Sequence, residues 1–141
     1  MYIPKIPNNS LTEEIKEIVE LSKKLEKEYD FEYNPPATEE EIISWENEHK
    51  IKIPESLKDW LRFSNGYNIL FERLSNLDNY IIEHKDFPKD LIIIGFTHDD
   101  SLCFSESTHE IVRYDYNETR RYTDFKAFLN ETFIRSLRKS I

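Results

Sequence analysis

The chain has 141 residues and a net charge of −9, with 38% hydrophobic and 13% aromatic residues, enough large side chains to bury roughly two-thirds of the unfolded surface around one core. A lone cysteine, Cys103, excludes an internal disulfide framework and suits a reducing compartment, and two glycines, Gly66 and Gly95, exclude glycine-rich phosphate-cradling loops. The longest apolar run, Leu91-Ile92-Ile93-Ile94, falls far short of the ~20 residues of a membrane helix, and the acidic balance disfavours nucleic acid.

The opening Met1 to Asn9 reads as irregular, because Pro4, Pro7, Asn8 and Asn9 interrupt it, and it carries no signal-peptide pattern; a cytoplasmic location is expected. Ser10 with Glu13 forms a capping-box pattern that predicts a helix, and Leu11, Ile15, Ile18, Ser22, Leu25 and Tyr29 lie on one face of it. After Asn34-Pro35-Pro36, Thr38 with Glu41 repeats the capping pattern for a short second helix carrying Ile42, Ile43, Trp45 and His49. Pro54 opens a third helix, with Leu57, Trp60, Leu61 and Ser64 on one side, and Asn65-Gly66 supplies its left-handed stop.

Five β-rich segments follow, Tyr67 to Phe71, Asn79 to Glu83, Leu91 to Phe96, Leu102 to Ser105 and Ile111 to Tyr116. Their connections are too short for crossover helices, so they predict antiparallel pairing, with Leu91 to Ile94 as a central strand buried on both faces. A final helix from Thr123 presents Phe125, Phe128, Leu129, Phe133 and Leu137 on one side. The order predicts a single α+β domain over residues 1–141, with helices packed on a mostly antiparallel sheet of about five strands.

Charge is unevenly placed. Between Leu11 and Lys50 thirteen carboxylates face five lysines, whereas from Arg113 onward seven basic residues face four acidic ones. Such a balance favours a basic protein partner drawn in by long-range attraction, beside the simpler role of keeping the protein soluble. His49, His84, His98 and His109 form no metal-ligand spacing, and the cluster His98-Asp99-Asp100 reads as a solvated turn; no metal and no cofactor is expected. Cys103, inside Ser101-Leu102-Cys103-Phe104, reads as a buried strand residue, and no catalytic residue is assigned.

The segment 36–66, with Pro36-Ala37-Thr38-Glu39-Glu40-Glu41-Ile42, Trp45-Glu46, Ile53-Pro54-Glu55-Ser56-Leu57, Trp60-Leu61 and Ser64-Asn65-Gly66, resembles the signature of the SUKH (Smi/Knr-type) superfamily. Its order continues in Leu91-Ile92-Ile93-Ile94-Gly95, Leu102-Cys103-Phe104, Ile111-Val112-Arg113-Tyr114-Asp115 and the aromatic-rich Tyr122 to Leu129. Leu57 stands where the family often has an aromatic, and His98-Asp99-Asp100 replaces a usually glycine-rich turn. The resemblance implies structural roles for Trp45, Glu46, Pro54, Trp60, Asn65, Gly66 and Gly95. It also implies an immunity protein that neutralises a bacterial toxin by direct binding; many such toxins are basic nucleases. Intracellular scaffolds and regulators of the same family are the alternative, and a hydrolase is a distant third. Candidate partner contacts are Tyr67, Asp99, Asp100, Glu106, Asp115 and Tyr116, at the expected sheet ends and loops, where exposed tyrosines among acids suit a binding hot spot.

Overall fold

The computed structural model describes residues 1–69 and 72–141. Helix α1 (Thr12–Leu25) is followed by β1 (Phe31–Tyr33), α2 (Glu39–His49) and α3 (Glu55–Leu61). Strands β2 (Tyr67–Ile69), β3 (Glu72–Leu74), β4 (Leu91–Thr97), β5 (Asp100–Ser105), β6 (Ile111–Asp115) and β7 (Asn117–Tyr122) come next, with a 3-10 turn at Leu77–Asn79 between β3 and β4. The chain ends in a helical run of α4 (Phe125–Phe128), a π-helical stretch (Leu129–Phe133) and α5 (Ile134–Lys139). The strands form one antiparallel sheet in the order β1-β2-β3-β4-β5-β6-β7. This is the expected α+β architecture, with seven strands rather than about five.

Both capping predictions meet a test here, with different results. Thr38 and Glu41 form the full capping box of α2, Glu41 N donating to Thr38 Oγ1 at 3.1 Å and Thr38 N to Glu41 Oε1 at 3.0 Å. Ser10 does not cap α1. Its hydroxyl and N–H both donate to the Asp59 carboxylate of α3, and a long-range bond to a charged acceptor displaces the local cap. Asn9 takes over the turn, accepting from Leu11 N at 2.8 Å while its own N–H donates to Thr12 Oγ1 at 2.8 Å. The stripe Leu11, Ile15, Ile18, Ser22 and Leu25 is buried, but Tyr29 lies beyond the helix and is exposed, as is Ile43 on α2.

Gly66 is likewise not the stop of α3, which ends at Leu61. It has φ +95° and sits where the chain turns into β2, and an added Cβ would meet the Leu74 carbonyl at 2.5 Å. Its left-handed conformation therefore serves the approach of two backbones. Other signature residues hold neighbouring elements together. Buried Glu46 accepts from Ile53 N at 2.8 Å and pairs with Lys58 at 3.1 Å, which fixes the α2–α3 connection that Pro54 terminates. Asn65 accepts from Leu77 N at 2.8 Å. Trp60, fully buried, meets Phe63, Tyr67 and Phe125 at centroid distances of 5.3, 5.4 and 6.1 Å.

The helices and one face of the sheet enclose the main core. On the opposite face Leu91, Cys103 and Val112 form a second small cluster with Phe87, Ile93 and Tyr114 against it. Strand β4 is thus central and carries apolar side chains toward both clusters, as the run at 91–94 predicts. The expected strand at Asn79 to Glu83 is reduced to a single bridge, Ile81 to Ile93. Three strands escape sequence patterning: β1 and β3 have three residues each, and β7 exposes five of its six residues. An edge strand needs no apolar alternation, and charged side chains protect it from pairing with another chain. In the expected segment Tyr67 to Phe71, β2 covers Tyr67–Ile69, and 70–71 lie outside the described residues.

The charge asymmetry of the sequence is partly cancelled in space. Helix α1 packs against α5, where Arg138 pairs with Glu17, while Lys126 approaches Glu14 at 4.0 Å.

Candidate partner-binding surface

The strand order places the β4–β5 turn and the β6–β7 turn at the same end of the sheet, because both link an outgoing strand to a returning one. His98 and Asp99 form the first turn, and Tyr116 the second between Asp115 and Asn117; all five are exposed. His98 has φ +53° and Tyr116 φ +62°. A left-handed conformation is tolerable for histidine and costly for a bulky tyrosine. Tyr116 is 90% exposed, so its ring gains nothing from packing on this chain. Asp99, Asp115 and Tyr116 therefore share one acidic, aromatic edge.

The remaining three candidates separate from it. Glu106 is exposed at the opposite end, in the β5–β6 connection, which also holds His109 and so keeps His109 away from His98. Tyr67 is only 2% exposed, with Phe133 at 4.9 Å and Trp60 at 5.4 Å. The ring completes the aromatic core and presents no surface, so its assignment as a partner contact is corrected. Asp100 points inward, accepting from Arg113 Nε at 2.8 Å and Thr119 Oγ1 at 2.9 Å, and is a structural link between hairpins. Tyr114, two residues before Tyr116, packs on Phe87 at 4.8 Å.

Apart from Asp100, sequence reading missed the side chains just inside this end. Ile69, Glu72, Thr97 and Asp100 are paired in succession across β2, β3, β4 and β5. Glu72 is 5% exposed; its Oε1 accepts from Thr97 Oγ1 at 2.8 Å, and the Tyr67 hydroxyl is hydrogen-bonded to the same carboxyl. Burial pushes its carboxyl up to about 7, against the opposing pull of the Thr97 hydroxyl and the Arg113 charge. Burial and the same carboxylate push the Tyr67 phenol well above its ordinary value. A pocket of about 340 Å³ opens here between Glu72 and the C-terminal helix. No single-sequence signal marks Glu72, since an isolated acid at the start of a three-residue strand reads as solvated.

A second acidic recess lies on α2, where Glu40, Glu41 and Glu48 face Asp78 of the 3-10 turn across a hollow of about 300 Å³. Nearby Glu39 is neutralised by Arg62 at 2.6 Å. Among the described residues, no three His, Cys, Asp or Glu side chains are arranged to hold a metal ion, and no helix is long and apolar enough to cross a membrane. The Cys103 thiol is fully buried and pushed up to about 12 by that burial, a poor setting for a thiolate nucleophile.

No curated protein matches the chain significantly. The SMI1 / KNR4 family (SUKH-1) matches residues 36–131, more than half of the chain, from the start of the signature segment into the closing helix. With the α+β fold over the matched residues, the chain belongs to the SMI1 / KNR4 (SUKH-1) family.

Proposed function

We propose that this protein is a cytoplasmic immunity-type protein, working as one domain, that binds a basic protein toxin, such as a nuclease, and blocks it without catalysis or cofactor. Family membership over residues 36–131 is the observation that carries this reading. The net charge of −9 supports a basic partner, because opposite charge raises the rate of encounter, and an acidic surface can meet the one a nuclease uses for phosphate. The edge formed by Asp99, Asp115 and Tyr116 is its binding surface; Tyr116 supplies an exposed aromatic anchor and the carboxylates supply steering.

The test is co-purification with the large secreted protein encoded beside its gene, followed by titration calorimetry at low and high salt. Tight binding that weakens as salt rises is expected. Absence of binding, with capture of a host protein from the native cell's lysate instead, overturns the toxin reading in favour of a scaffold.

A further inference from the structure

Residues 83–89, between the Ile81 bridge and β4, reach back over the face of the sheet opposite the helices, and their two ends are firmly held. At the first end Ile81 exchanges both backbone hydrogen bonds with Ile93 of β4, at 3.0 and 2.9 Å, and Ile82 packs against the main core. At the other end the Asp90 carboxylate accepts from the Ser105 hydroxyl, from Ser107 N at 2.9 Å and from Ser107 Oγ at 3.0 Å. The Asp90 carbonyl also accepts from Glu106 N at 2.8 Å.

The middle of the segment is held differently. Among the described residues its hydrogen bonds stay local: Phe87 N donates to the His84 carbonyl at 3.1 Å, Asp86 N to His84 Nδ1 at 3.3 Å, and Leu91 N to the Pro88 carbonyl at 3.1 Å. Glu83, Lys85, Asp86 and Lys89 are exposed, and a hollow of about 760 Å³ runs along the segment with Glu106 on its wall. Phe87 is the side chain that turns to the sheet. Its ring lies 4.8 Å from Tyr114 of β6 and packs against the cluster of Leu91, Cys103 and Val112.

We propose that residues 83–89 form a strap with hinges at Ile81 and Asp90 and with Phe87 as its latch, which opens while the sheet stays paired and so gates access to Cys103 and the apolar face around it. One half-buried ring favours the closed strap, and the conformational freedom regained by the whole segment opposes it. Segments with few buried contacts and solvent-exposed hydrogen bonds open at far lower cost than a core. Ile93, Cys103 and Val112, by contrast, are paired with one another across β4, β5 and β6, so they stay in place when the strap lifts. The inference is independent of what the protein binds.

Cys103 is the one cysteine of the chain and is fully buried, so its thiol reports the opening without interference. The test is alkylation of the native protein by iodoacetamide, followed by mass spectrometry. Each rate is compared with that of the unfolded chain multiplied by the variant's own unfolded fraction, taken from urea denaturation. Labelling should run about tenfold or more faster than global unfolding permits, and should respond weakly to low urea because little surface is exposed. Phe87→Ala should accelerate it roughly tenfold further, and Lys85→Ala, at an exposed strap position, should leave it unchanged.

Hydrogen exchange locates the hinges. The amides of Ile93 and Ser107, which donate to Ile81 and Asp90, should stay protected on the timescale over which the thiol is labelled. Three results overturn the proposal: labelling that tracks global unfolding with its full urea dependence, no acceleration in Phe87→Ala, or loss of Ile93 and Ser107 protection together with labelling. The last would mean that the sheet itself frays instead of the strap lifting.

Discussion

Asp100 and Arg113 meet at 2.8 Å across the β5–β6 pair, and the same carboxylate oxygen accepts from Thr119 on β7 at 2.9 Å. One short side chain therefore joins three strands at the sheet end that presents Asp99, Asp115 and Tyr116. Asp99 and Asp100 are adjacent in sequence and opposite in role. Asp100→Ala should cost about 2–3 kcal/mol by leaving Arg113 half-buried without its partner, whereas Asp99→Lys should change stability by less than about 0.5 kcal/mol while slowing association with a basic partner severalfold. Thermal melts and stopped-flow association of the two variants separate the roles; equal melting temperatures for both would contradict the assignment.

Glu72 makes stability depend on pH. Its carboxyl is raised from 4.5 to about 7 in the folded chain, so the native state holds its proton over a range where the unfolded chain has released it. Stability should therefore fall as pH rises from about 4.5 to about 7 and then level off, with this group contributing on the order of 3 kcal/mol. Glu72→Gln should flatten that slope and leave the protein more stable than the parent at pH ~8. Urea denaturation across this range measures it, and an unchanged slope in the variant would assign the effect to other groups.

Tyr116 combines a left-handed backbone with a ring that touches almost nothing, so fold and binding should respond in opposite directions. Tyr116→Gly relieves the backbone and should raise stability by roughly 0.5–1 kcal/mol. The same change should weaken partner binding by about 2 kcal/mol or more if the ring is the anchor. Paired denaturation and calorimetry check this; undiminished affinity would move the interface elsewhere, with the α2 recess the next surface to probe.

Gly95 lies on β4 where β3 passes so close that an added Cβ would stand 2.0 Å from the Arg73 carbonyl oxygen. Both atoms belong to paired backbones and cannot swing away. Gly95→Ala should cost on the order of 3–5 kcal/mol, or prevent folding, and hydrogen exchange should show β3 released from β4. A variant that melts like the parent would mean that the two strands can separate at little cost.

Much of the helical half was legible because its signals are local. Thr38 and Glu41 are three residues apart and cap α2 as their spacing predicts, and Trp60 belongs to an apolar stripe that faces the core. The site was less legible. Asp99, Asp115 and Tyr116 are exposed as expected, but Tyr67 and Asp100 carry the same polar and aromatic chemistry and turned inward. Residue type does not distinguish a tyrosine that anchors a partner from one that completes a core, because both tasks reward a large ring with a polar tip.

The amino-acid sequence by itself determined the family, the α+β class, the capped second helix, the central strand at 91–94 and the acidic balance. All of these rest on local spacing, on the order of segments along the chain or on composition, which the chain carries before it folds. Only the tertiary structure decided that Ser10 serves Asp59, that basic residues of the closing helix neutralise part of the acidic first helix, and that Glu72 is buried at the mouth of a pocket. Those outcomes depend on strand register and helix packing between residues far apart in sequence. There the energy of a long-range contact outweighs local preference.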